Sequence, residues 1–171
     1  MKFDLDFIRQ SFVVFAQNGN DLIPAEVVRQ FATFREHFAQ HGAAEQHAVL
    51  LFMRAPKLGK VKTRLTPRLS PAAALGLYKS MVADTLRTIS SAGFEPMIYA
   101  FPPDSIDIVA AWLGRRYAVL PQQGPSLGER MADAFRRTFA AGRLRAVLVG
   151  SDIPDLPVAL YRQAFDVLSD H

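Results

Sequence analysis

Two hydrophobic rhythms alternate along most of this chain. AVLLFM (48–53), PMIYAF (96–101), YAVL (117–120) and AVLVG (146–150) are nearly continuous apolar runs. Runs of this length and type read as strands covered on both faces, because a strand with one wet face would alternate apolar and polar residues. Between them the apolar positions adopt helical spacing. Ala74, Leu75, Tyr78, Met81, Val82, Thr85, Leu86 and Ile89 form one such stripe. It begins at Ser70, a capping residue followed by Pro71, and is predicted to stop near Gly93. A shorter helix is predicted over 105–113. Another starts at Ser126, where Ser-Leu-Gly-Glu has capping-box spacing, and reaches about Ala141 before Gly142. A last helix follows Pro157.

Strand and helix alternating four times predict an α/β domain with a Rossmann-like, mostly parallel sheet joined by right-handed crossovers. With its strands numbered along the chain, the common order for such a unit is 3-2-1-4. That order opens a crevice beyond the carboxyl ends of the first and fourth strands. The loop after the first strand is RAPKLGKVKTRL, and the loop after the fourth is GSDIPDLP. A basic loop and Asp152 are therefore expected to face each other.

Residues 1–46 follow a different pattern. Phe7, Ile8, Phe12 and Phe15 suggest one amphipathic helix, and Val27, Val28, Phe31, Phe34 and Phe38 a second, with NGNDLIP as the turn between them. The expected organisation is an N-terminal helical hairpin (1–46) followed by a nucleotide-binding α/β domain (47–171). The apolar faces of the hairpin must dock on the domain or on a second copy, which offers a homodimer contact. His37 and His41 stand four apart on the second helix, but no carboxylate accompanies them as in H-E-x-x-H, and His41 shares the face of Phe34 and Phe38.

Composition narrows the function. Of 171 residues 50% are hydrophobic, enough for a substantial core, and there is no cysteine, so neither a disulfide framework nor a thiolate zinc site exists. The N-terminus carries Asp4 and Asp6 where a signal peptide wants basic residues, and no run approaches the roughly 18 apolar residues of a membrane span. These features predict a cytoplasmic protein without a membrane partner. The net charge is only +4, with much of the excess in the loop from Arg54 to Arg64 and in Arg68. Such local concentration, without interleaved aromatics, points to a small anion rather than a nucleic acid.

A basic loop opposite an aspartate suits a diphosphate with a metal. Lysine and arginine neutralise phosphates, and Gly59 lets the backbone come close. Magnesium commonly takes one or two protein carboxylates and completes its shell with water and substrate phosphates, so Asp152 with Asp155 would suffice. The loop is not a Walker sequence, since its glycine, lysine and hydroxyl residues lack the required spacing. Structural readings compete for several positions. Asp155 could serve as the N-cap of the last helix, Ser126 and Glu129 as a capping box, and the basic run as a solvated loop. The helix start in GPSLGERM could also receive an anionic group.

Three segments taken together, FMRAPKLGKVKTRLTP, QQGPSLGERMADAF and VLVGSDIPDL, resemble a bacterial family of nucleotide-diphospho-sugar transferases with the GT-A fold, known as radical-SAM-associated or arsenosugar-biosynthesis glycosyltransferases. The likeness covers about residues 47–171. It implies a metal-dependent glycosyltransferase acting on a nucleotide-diphospho-sugar donor and a small-molecule acceptor, with Mg or Mn as cofactor. Nucleotide and phosphate contacts would fall on Arg54, Ala55, Pro56, Gly59, Lys62, Arg64, Gly124, Gly128 and Arg130, and the metal on Asp152 and Asp155. Members of the family continue past the helix that follows the aspartate, so the GT-A domain is expected to be incomplete at its C-terminus. No general base is identified. A nucleotidyltransferase of related fold and a non-catalytic nucleotide- or partner-binding domain remain alternatives.

Overall fold

A computed structural model describes residues 13–17, 47–114 and 116–168. Its sheet has five strands: β1 (Val13–Gln17), β2 (His47–Arg54), β3 (Pro96–Phe101), β4 (Val119–Pro121) and β5 (Arg145–Gly150). Their order is β1-β5-β2-β3-β4. β2 pairs in parallel with both β5 and β3, and β3 pairs in parallel with β4. Apart from β1, this is the arrangement the strand pattern predicts.

The helices are α1 (Pro71–Ser91), α2 (Ile106–Leu113), α3 (Leu127–Ala140) and α4 (Val158–Val167). Side chains alternate across the sheet and divide the core in two. Val49, Leu51, Met53, Ile98, Val147 and Val149 point to the side where α1, α2 and α4 contribute Tyr78, Val82, Ile89, Val109, Tyr161 and Phe165. Leu50, Phe52, Met97, Tyr99, Leu120 and Leu148 point to the other side, onto Ala134, Phe135 and Phe139 of α3. Burying both faces of β2 and β5 explains their unbroken apolar sequences. Each fully buried leucine or valine contributes roughly 1.5–3 kcal/mol relative to an exposed one. Among the described residues no helix is long and apolar enough to cross a membrane.

Helix ends follow the sequence signals. The Ser70 hydroxyl accepts from the Ala73 amide, and α1 closes before Gly93, which sits at φ 91. At α3 the capping box is complete: Ser126 Oγ accepts from Glu129 N, and the Glu129 carboxylate accepts from Ser126 N and Oγ.

The N-terminal segment departs from expectation. The first proposed helix includes Phe12 and Phe15, yet Val13–Gln17 is a strand, antiparallel to β5 from Val13↔Val149 to Gln17↔Arg145. Val-Val-Phe is strand-favouring, and the outer edge of β5 presents backbone groups that a strand can satisfy and a helix cannot. The second helix, His37, His41 and the suggested homodimer contact lie outside the described residues.

His47, at the start of β2, stacks on Phe165 at 4.5 Å, and its Nε2 stands 3.2 Å from the Arg145 guanidinium. Arginine only donates, so Nε2 accepts and the ring is neutral, with its proton on Nδ1. Burial, then Arg145, lower its pKa below the usual 6.5, while Asp166 opposes them. A depressed folded pKa gives stability that is fully present above about 6.5 and lost as pH falls through the folded value. Thermal unfolding between pH 7.5 and 5.5 is expected to show a falling midpoint, with a shallower slope in His47→Gln.

Gly124 and Gly128 are expected to respond oppositely to alanine. Gly124 lies at φ 132, and a Cβ there would stand 3.1 Å from Arg130 N and from the Glu129 carbonyl carbon, whereas a Cβ on Gly128 meets nothing within 4 Å. Denaturant titration should show Gly124→Ala losing ~1–3 kcal/mol. Gly128→Ala, in the first turn of α3, should gain up to ~1 kcal/mol.

Candidate functional site

The basic loop leaves β2 from a fixed point. Tyr78 of α1, buried, accepts from the Arg54 amide at 2.9 Å and donates to the Arg54 carbonyl at 2.7 Å. One phenol thus satisfies both backbone groups of the last strand residue. Burial raises the Tyr78 pKa, and hydrogen bonding to Ser151 and to the Arg54 backbone opposes the rise. The hydroxyl therefore keeps its proton for the carbonyl, while touching the exits of both β2 and β5.

Beyond Arg54 the loop is anchored by two buried apolar residues, Ala55 and Val61. The Ala55 amide donates to Phe101 O at 2.8 Å, extending the β2–β3 ladder. Between the anchors the chain reverses at Gly59, φ 68. It then reaches Lys62 at φ 50, the one non-glycine residue with positive φ among those described. A left-handed conformation costs a residue with a Cβ roughly 1–2 kcal/mol. A short 3-10 turn, Thr63–Leu65, follows, and Thr66 Oγ1 donates to Thr63 O.

This turn directs Lys62 toward β5. Its Nζ stands 2.8 Å from Asp152 Oδ1. The Ser151 amide donates to Phe52 O at 3.2 Å, so the β2–β5 ladder runs on to the residue before the aspartate. The lysine side chain is 17% exposed and the aspartate 57%, which places the pair at the mouth of the crevice with the carboxylate facing outward. In such a half-wet setting an ion pair contributes only about 0.2–1 kcal/mol, so it does not by itself offset the backbone cost at Lys62.

A second cationic group sits at the end of β3. The guanidinium carbon of Arg130 lies 4.3 Å from the Phe101 ring centroid, and that of Arg54 lies 5.3 Å from the same centroid. Arg130 Nε is buried and has no hydrogen-bond partner among the described residues. Neither arginine forms an ion pair there among the described residues, and two like charges on one ring favour an anion between or beside them. Gln122 secures the floor: its Nε2 donates to Met53 O at 3.2 Å and to Tyr99 O at 2.8 Å.

The structure thus joins Lys62 to Asp152, brings Arg54 and Arg130 to one ring, and backs Arg130 with Gly124. Pro56 is partly buried behind the loop, and Arg64 is exposed in the 3-10 turn without an ion pair among the described residues. Gly128 lies open on α3, whose N-terminus already holds the Glu129 carboxylate, so the capping reading prevails there. Asp155 is exposed and is not the cap of α4, because Pro157 occupies that position. No group of three or more His, Asp or Glu that could hold a metal exists among the described residues. Asp152, paired with Lys62, is the carboxylate that the structure places opposite the basic loop, and Asp155 lies three residues further along the same chain segment.

Tyr78, Phe101 and Gln122 escaped the sequence reading. Tyr78 sits within an apolar helical stripe, Phe101 closes an apolar strand, and Gln122 is one of two adjacent glutamines. A hydroxyl near the N-terminal end of a helix that follows a strand was the one usable signal.

No curated protein matches this chain. Four chains among solved structures do. One is a protein from Desulfovibrio desulfuricans G20, provisionally named a nucleotide-diphospho-sugar transferase and solved by crystallography at 1.90 Å resolution. It is 37% identical with a TM-score of 0.69, and the match covers 72% of this chain. This chain spans 55% of that structure's length. Residues 85–171 match the family model described as "Uncharacterized protein conserved in bacteria (DUF2064)", and the chain belongs to that family.

Proposed function

We propose that this chain carries the donor-binding part of a metal-dependent glycosyltransferase that uses a nucleotide-diphospho-sugar. The observation that carries this reading is the pairing of Lys62 with Asp152 across the carboxyl ends of adjacent parallel strands. The name of the Desulfovibrio protein, at 37% identity, supports the same class. The finer link to radical-SAM-associated or arsenosugar-biosynthesis enzymes rests on the three sequence segments alone.

In this reading Lys62, Arg54 and Arg130 hold the donor's diphosphate, with Arg64 reaching it from the rim. Gly59 and the backbone from Ala55 to Pro56 shape the loop around it. Asp152 fits a cation that asks for one or two protein carboxylates, with Asp155 as the second, since no fuller set of ligands exists among the described residues. When bound, magnesium or manganese would supply positive charge that stabilises a departing nucleoside diphosphate. The protein's own cations add to that stabilisation from fixed positions, because Tyr78 and Gln122 hold the strand ends from which Arg54 projects. A small-molecule acceptor would attack the anomeric carbon.

Calorimetric titration with UDP and with GDP, each with and without magnesium or manganese, tests this. Metal-dependent binding of one nucleotide, weakened at least tenfold in Asp152→Ala, is the expected result (about 1.4 kcal/mol). A folded chain that binds neither nucleotide would overturn the proposal. Pyrophosphate release from a nucleoside triphosphate would assign the chain to nucleotidyl transfer instead.

A further inference from the structure

Asp152 is more than half exposed, yet it already has a counter-ion. Lys62 Nζ stands 2.8 Å from its Oδ1. Lys62 reaches that position from the one strained left-handed backbone site of a non-glycine residue among those described. By contrast, Arg54, Arg64 and Arg130 make no ion pair among the described residues. One crevice cation is therefore tied down while the others are uncommitted.

A divalent cation on Asp152 would meet the Lys62 ammonium at contact range, and two cations on one carboxylate repel strongly. The lysine stem is flexible, so its head can leave without moving the backbone, provided another anion receives it. An incoming diphosphate, held by the neighbouring arginines, is such an anion. We infer that Lys62 is an exchangeable counter-ion that holds Asp152 closed to bare divalent cations and releases it when a diphosphate enters. Metal and nucleoside diphosphate then bind weakly apart and tightly together. The inference rests on the donor-site reading for its second half, and on the Lys62–Asp152 contact alone for its first.

Binding of Mn2+ alone, followed by the paramagnetic signal of the free ion, tests the first half in the wild type, Lys62→Gln and Lys62→Gly. Both variants should bind Mn2+ about three- to tenfold more tightly than the wild type. Lys62→Gly also removes the left-handed strain, so a folding defect common to both variants is not expected. A merely structural role for Lys62 would weaken the ion's binding instead. Saturating UDP should then raise Mn2+ affinity more in the wild type than in either variant. Unchanged or weaker Mn2+ binding in both variants, or none in any of the three proteins, overturns the inference. Tighter Mn2+ binding in the variants, with no UDP binding by the wild type, would sink the donor-site reading and leave the hold of Lys62 on Asp152 standing.

Discussion

The parallel pairing of β2 with β5 is the constraint on which the crevice depends. Their ladder runs from His47↔Arg145 to Phe52↔Gly150, and Ser151 extends it by one more bond to Phe52. Both strands therefore end at the same rim, one strand spacing apart. The helices that follow them, α1 and α4, pack on the same face of the sheet. Two loops that leave adjacent strands at one rim and descend onto one face must meet. Lys62 and Asp152 are where they do.

Such a meeting is useful chemically only if the loops start from fixed points. Strand ends are weak places, because the backbone groups of a last residue lose their ladder partners. Here buried side chains replace those partners. Tyr78 satisfies the amide and carbonyl of Arg54, and Gln122 bridges the carbonyls of Met53 and Tyr99. The cationic side chains therefore project from a rim whose backbone is already satisfied, and charge held in place before a ligand arrives need not be reorganised when it does.

The layout of the domain was legible in the sequence because burial on both faces leaves a plain mark. AVLLFM and AVLVG read as covered strands, and Ser70-Pro71 and the Ser126–Glu129 box marked helix starts by local hydrogen bonding. The facing of the basic loop and Asp152 followed from strand order, whereas the choice of Lys62 as the partner did not. Val13–Gln17 was misread because Phe12 and Phe15 fit a helical stripe, while the edge of β5 that recruits the segment lies more than 100 residues away. Tyr78 was read as core, which it is; that its hydroxyl also anchors Arg54 depends on a contact 24 residues distant. Asp155 resembled a cap by residue type, but it lies in a turn, and the helix begins later, after the extended Pro157 that caps it. Each of these misses is a tertiary contact or a local conformation that spacing alone does not encode.

The distribution of carboxylates at the rim means that the proposed anion site would be built from side chains. A helix start is usually an attractive place for a phosphate. At α3 that place is taken: Glu129 accepts from Ser126 N and Oγ, putting a carboxylate where a ligand anion would sit. Gly124, pressed against Glu129 and Arg130, fixes the turn in front of it. What the helix start gives instead is Arg130, carried on its first turns toward Phe101 and the end of β3. In the proposed donor-site reading, an anion in the crevice would be met by guanidinium and ammonium groups drawn from the β2 loop and α3, and the carboxylate of Asp152 at its edge would favour anions that bring a cation with them.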